Sequence, residues 1–412
     1  MKVRPDLVPE TERDNLEVIQ LTDEPIPSSH IYMEAQIFTP DSQRLILHRS
    51  AHPHGSDPKD PEHQFLICNL EDNCSLTPIT TELGTTGPSI SPDGAHLYYF
   101  VNETEFGGGG RLMLKRVGLD GSEREIIYVL DHAIPETDFR LSRPYPLSTI
   151  SSDGGRIAIS GFLGDGNSAG ARWGLLVFEI EEPSVRLVLH GPTWCNLHPQ
   201  YTRQMDPVAS HDIMIQENHG NIIAADGRVE KLVSGLGADI HLIRDDGTDL
   251  RDFPWGRDGN EFCQGHQCWQ GKSDIAITST STREPDERQL ISGRAAAHVG
   301  DEGINTPGGW RNDLSRSFDG PDFWHFATDR DGIRLITDAG PKDGGGAVWL
   351  FDLPEEEDGA LANARKVANP GSSWQKDTHI HPFLSPDGRS GFFNSDESGL
   401  LQAYMVRGWQ MT

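Results

Sequence analysis

The chain has 412 residues, and 63 Asp and Glu against 35 Lys and Arg leave a formal net charge of −28. That balance argues against nucleic acid as a partner and against docking on anionic lipid, since both need clustered Lys and Arg. Hydrophobic residues make up only 35% while Gly (44) and Pro (27) abound, so turns outweigh long apolar helices, and no stretch approaches the roughly 18 apolar residues of a membrane span.

The first residues, Met1-Lys-Val-Arg-Pro-Asp-Leu-Val-Pro-Glu, contain no apolar signal region. The five cysteines, Cys68, Cys74, Cys195, Cys263 and Cys268, are too few and odd in number for a disulfide framework. Cys263 and Cys268 lack the second pair that a zinc site would need. Together these features predict a reduced, cytoplasmic protein.

Next along the chain, NLEVIQLT (15–22) reads as an isolated strand. After it comes a weak repeat of strand, Asp- or Gly-bearing turn, and apolar strand. The copies are IFTPDSQRLIL (37–47), SISPDGAHLYYF (89–100), TISSDGGRIAIS (149–160), YTRQMDPVASHDIMI (201–215), CWQGKSDIAIT (268–278), FATDRDGIRLIT (326–337) and FLSPDGRSGFF (383–393). Pro-Asp-Gly is turn chemistry: Pro presets φ, Asp bonds nearby backbone N–H groups, and Gly accepts positive φ. A third apolar strand follows several hairpins, as in QFLICNL (64–70), RLMLKRV (111–117), GLLVFEI (174–180) and AVWLFDL (347–353). Strand triplets recurring roughly every 50 to 65 residues predict radial repetition with four strands per blade.

Length alone would allow two or three domains. The seven copies instead predict an all-β, seven-bladed β-propeller forming one domain over residues 1–412. Residues 15–22 are expected to pair into the last blade and remove the open edge. The stretches 51–63, 103–110 and 280–322 read as loop insertions. Gly107 to Gly110, with no Lys-Ser/Thr after it, reads as a flexible loop and not a phosphate cradle.

The 17 His are informative by phase. His198, His266, His325 and the pair His379 and His381 each fall a few residues before their turn, on what would be the innermost strand. His379-Ile380-His381 puts two imidazoles on one strand face. With His325 from the neighbouring blade, three imidazoles can converge on one cation such as Zn, Mn, Fe, Ni or Cu. Satisfied polar residues at a wet channel mouth are the simpler alternative. His52-Pro-His54 reads as loop.

Several stretches resemble the oligogalacturonate lyase family: SSHIYMEAQIFTPDSQRLIL (28–47), NLHPQYT (196–202), CQGHQCW (263–269), FWHFATDRDG (323–332) and THIHPFLSPDG (378–388). The resemblance implies a seven-bladed lyase that cleaves uronic-acid oligosaccharides by β-elimination, in the manner of pectin degradation. It implies a divalent metal held by three His and one Gln, with manganese expected and zinc, calcium, nickel or iron as alternatives. The His map onto His325, His379 and His381. The place of the Gln is taken by Lys376, with Gln375 beside it as the candidate ligand. His266 corresponds to the proposed base. His198, Tyr201, His30 and Tyr32 are candidates for orienting sugar hydroxyls. Where the family carries an Arg, this chain has Asp239.

The chemistry suits this reading. A cation on the carboxylate stabilises the charge that develops when the adjacent C–H proton is removed, and a neutral His can take that proton. Other readings are a lyase acting on uronate-capped glycans such as rhamnose-glucuronate, a metal-dependent hydrolase or isomerase, or a non-catalytic binding propeller of the TolB or WD-like kind.

Overall fold

The computed structural model describes residues 1–410 except 53–54, 57–59, 104–109, 165–171, 226, 233–236, 257–260, 282–287, 297–308, 319–321, 341–345 and 376–377. Gly107 to Gly109, His54 and Lys376 therefore lie outside the described residues.

Seven antiparallel sheets of four or five strands make up the blades, six of them meanders in chain order and the last completed by strands from the start of the chain. The third blade shows the pattern, with strands Arg143–Ile150, Arg156–Phe162, Trp173–Glu179 and Ser184–Gly191. Alternation along these strands turns one face of every blade toward each neighbour. Between blades two and three, for example, Phe100, Leu112 and Leu114 meet Ile157, Ile159 and Phe178 in one buried cluster. Each such side chain contributes roughly 1.5–3 kcal/mol by leaving water. The chain is an all-β seven-bladed propeller, with no α-helix among the described residues.

The innermost strands are Ser28–His30, Thr85–Ile90, Arg143–Ile150, Gln200–Tyr201, Phe262–Trp269, Phe326–Thr328 and Phe383–Leu384. At their lower ends the repeat turns share one network. In blade two, Ser91 Oγ donates to Asp93 Oδ1 at 2.5 Å, and the Ala95 and His96 N–H groups donate to Asp93 Oδ1 and Ser91 Oγ at 3.0 Å each. Ser151 with Asp153 and Ser385 with Asp387 repeat it. The Gly of each Asp-Gly adopts positive φ, +71° at Gly94 and +68° at Gly388, which a side chain would strain.

Glu17–Gln20 runs antiparallel to Gln402–Arg407, with Val18 opposite Val406, so the outer part of the last blade is built from the start of the chain. Lys2–Val3 adds a further edge strand.

One expectation fails. The stretch 280–322 is not simply a loop insertion, because Gln289–Gly293 and Arg311–Asp313 are the third and fourth strands of blade five. Leu290 and Ile291 are the only apolar residues of the first, and the second has none. Neighbouring strands, not their own pattern, hold these segments in place.

Candidate functional site

The upper halves of the inner strands differ from blade to blade. In blades two and three the inner strands also slip register, near Gly87 and between Pro144 and Ser148, but they stay paired to their upper ends and carry no His. In blade one the chain leaves the ladder after His30 and turns, with the Ala35 N–H bonded to the Tyr32 carbonyl at 2.9 Å. Blades four, six and seven keep only two or three paired inner residues, and their His stand just above. Blade five keeps its strand but slips register between Cys263 and Gln267, with Gly265 at φ +80°. His198 and His381 themselves have positive φ, +48° and +45°, a region costly for residues with a Cβ and recurrent at functional sites.

These irregular segments bring imidazoles from three blades together. One nitrogen each of His325, His379 and His381 lies within 4.8 Å of the others. Ring centroids are 4.1 Å apart for His325 and His381, 5.4 Å for His325 and His379, and 4.6 Å for His266 and His325. Trp374 stacks on His379 at 5.2 Å and meets Trp324 at 6.0 Å, giving one side of the cluster an aromatic wall.

Asp338, fully buried at the end of a blade-six strand, organises the cluster. Its Oδ2 lies 2.7 Å from His325 Nδ1, and its Oδ1 accepts the His325 N–H at 2.8 Å. That leaves Nε2 of His325 as the nitrogen that can bind a ligand. Burial pushes the Asp338 carboxyl well above its usual range, so an ionised Asp338 calls for positive charge beside it. A carboxylate behind a His is the arrangement that orients a metal ligand. Three imidazoles at this separation, one oriented in this way, fit a divalent transition metal.

His266 sits beside the cluster without an oriented partner on Nδ1. Burial, helped by His198 and Arg288, pushes its pKa down to about 3, so its imidazole is neutral over the working range of pH. Arg288 packs on Trp324, with its guanidinium carbon 3.3 Å from the ring centroid. Arg288 also favours the charged form of Asp338, and it brings positive charge to this site.

The remaining predicted residues divide. Tyr32 lies 4.8 Å from His381 and 5.2 Å from His198, ring to ring, and bridges the two. His198 Nδ1 pairs with buried Glu34 Oε2 at 2.7 Å, and Tyr145 Oη lies 3.2 Å from its Nε2. Tyr201 points elsewhere: it is fully buried between blades three and four, and its hydroxyl donates to Asp245 at 3.1 Å. His30 is also buried, with Nδ1 2.6 Å from the Ile31 carbonyl and its ring edge-on to Phe383. Gln375 is exposed on the turn before His379, where its backbone bonds to Thr378. Asp239 pairs with His219 at 2.9 Å.

The sequence alone does not single out Asp338, Arg288 or Glu34. Asp338 carries a weak signal as a lone acid in the apolar run RLITDA (334–339). Arg288 falls within the stretch read as an insertion, and Glu34 has no distinguishing pattern.

No sequence family matches the chain, and no curated protein matches it. Solved structures do. An oligogalacturonate lyase in complex with manganese aligns over 96% of this chain and 93% of its own, at 17% identity and TM-score 0.66. An oligogalacturonate lyase from Vibrio parahaemolyticus aligns over 98% and 96%, at 17% identity and TM-score 0.70. A prolyl endopeptidase aligns over 94% of this chain and 50% of its own, at 10% identity and TM-score 0.52. Identities this low speak for fold, and propellers host many chemistries. Over nearly its whole length, then, the chain has the seven-bladed fold of solved oligogalacturonate lyases.

Proposed function

We propose that this protein is a metal-dependent lyase that cleaves uronic-acid-containing oligosaccharides by β-elimination. The observation that carries the reading is the convergence of His325, His379 and His381 beside a neutral His266. The likeness in fold to a lyase in complex with manganese supports it.

His325, His379 and His381 would hold the cation, with Asp338 fixing His325. A bound divalent metal supplies Lewis acidity toward the substrate carboxylate. Gln375 is too exposed to count among these ligands. His266 takes the proton from the carbon that bears the carboxylate. The electron pair forms a double bond to the neighbouring carbon as the glycosidic oxygen leaves from it. Arg288, held against Trp324, adds positive charge where the carboxylate gathers negative charge. His198, fixed by Glu34, and Tyr32 line the approach and offer hydrogen bonds to sugar hydroxyls. His30 and Tyr201 act as packing residues.

The test is to incubate the protein, stripped and then reloaded with Mn²⁺, with oligogalacturonates and glucuronate-capped oligosaccharides. The reading expects a metal-dependent rise in ultraviolet absorbance from the unsaturated uronate. About one bound metal per chain with no unsaturated product on any uronate would overturn it in favour of another metalloenzyme.

A further inference from the structure

The central channel does not end at the histidine cluster. Toward the repeat turns it widens into a cavity of about 390 Å³, lined by inner strands and turns from all seven blades. Its walls are largely apolar, with Phe383 and Trp269 among them. Glu34 belongs to its lining, and the Glu34 carboxylate is bonded to His198.

Arg203 enters this cavity from blade four. Here the repeat is broken: where blades two, three and seven turn through Ser-x-Asp-Gly, this one reads Thr202-Arg-Gln-Met-Asp-Pro. Arg203 follows Thr202 as Pro92 follows Ser91 and Pro386 follows Ser385, a position that lines the cavity in these blades too, and here it carries a guanidinium. Arg203 has no hydrogen-bond or ion-pair partner among the described residues. Both acids of the cavity are already engaged. Glu34 is bonded to His198, and Asp329 accepts the Ile333 N–H at 2.8 Å. Lys272 and Arg330 stand at the rim and add positive charge. The Arg203 side chain is half-buried, and desolvation draws its guanidinium down to about 10, as expected of a cation partly withdrawn from water without compensation. In a chain of net charge −28, an unpaired Arg in an apolar-walled cavity marks a place for an anion. A guanidinium offers a fork of donors that matches carboxylate and phosphate oxygens.

We propose that this lower half of the channel is a second ligand site, separate from the histidine cluster. It takes a small organic oxyanion of about monosaccharide size, carboxylate or phosphate, with the charged group on Arg203 and the body against Phe383 and Trp269. The volume matches the lower range of small-molecule sites. The proposal does not depend on the lyase reading.

Thermal unfolding of the full chain tests it, with D-galacturonate, inorganic phosphate and neutral galactose as probes and sodium chloride as the ionic-strength control. At least one anion should raise the melting temperature saturably, with galactose and chloride inert. Whether galacturonate or phosphate acts more strongly identifies the charged group. The effect should persist in His379→Ala, which disables the histidine cluster. It should weaken at least tenfold in apparent affinity in Arg203→Met, with Arg203→Lys intermediate. Ligand-free Arg203→Met should melt no lower than the parent, because an unpaired, half-buried charge has been removed. The proposal is overturned if no anion outdoes chloride, if Arg203→Met binds as the parent does, or if His379→Ala abolishes binding.

Discussion

Asp338 decides what the histidine cluster can do, because it fixes which nitrogen of His325 faces inward. Replacing it with Asn keeps the shape and removes the charge. Asp338→Asn should lower metal affinity about 10- to 100-fold, read by competition with a chelator, while the melting temperature changes little. His266 plays a different part. His266→Ala should cost roughly 10²- to 10⁴-fold in kcat, the span of general-base catalysis, with the metal content measured by elemental analysis unchanged; loss of metal would instead make His266 a ligand. His379, His381 and His325 could be singled out in the sequence because HxH has strand periodicity and His325 shares its phase. Asp338 could not, because its partner lies 13 residues away across a hairpin, and only the register of the two strands joins them.

The elements carrying the site are those that depart from the repeat. A regular inner strand would point alternate side chains into the channel and give each blade the same opening. The bulge at Gly265 breaks that alternation in blade five and places His266 against His325. Bulges re-aim side chains in this way. A Cβ at residue 265 would press on the Gln216 side chain, and the φ of +80° disfavours any side chain. Gly265→Ala should therefore cost about 1–2 kcal/mol in stability, read from denaturant unfolding, and lower kcat by more than that strain alone accounts for. The repeat turns were legible because Ser-x-Asp-Gly has a local mechanism, contained within a few residues. The outer strands of blade five were not, because Arg311–Asp313 is held by pairing to Gln289–Gly293 and not by any preference of its own.

At the scale of the ring, the first residues of the chain clamp the last blade. Beyond the strand pairing of Glu17–Gln20, the Arg4 guanidinium forms a two-pronged ion pair with Glu397, 2.8 Å for Nη2 to Oε2, and Arg365 binds Glu12 at 2.7 Å. Arg4 holds Glu397 below the usual carboxylate range, and Arg365 does the same for Glu12. A depressed carboxylate adds stability that is present above its unfolded pKa and lost as pH falls through its folded value. Melting temperature should therefore fall on acidification into that range, and the fall should be shallower in Arg4→Met, which lacks the pair at every pH. Breaking this largely buried pair should itself cost roughly 3 kcal/mol near neutral pH. The charge of −28 adds a long-range effect. If the proposed uronate oligosaccharide is the substrate, this field repels it until it reaches the channel, so raising ionic strength should lower its KM while leaving kcat nearly unchanged, as screening shortens the repulsion.

The sequence by itself determined the blade count, the lower turns and the three imidazoles of one cluster, because each rests on local periodicity or on chemistry within a few residues. Folding alone sets Asp338 behind His325, brings Arg288 to the site, and leaves Gln375, His30 and Tyr201 apart from it. Those outcomes depend on strand register and on where the inner strands leave the ladder, and both are settled by packing between blades far apart in the chain. The acidic composition first spoke only against nucleic acid and lipid. The fold sets a guanidinium against that background at two places, Arg288 over Trp324 and Arg203 in the lower cavity.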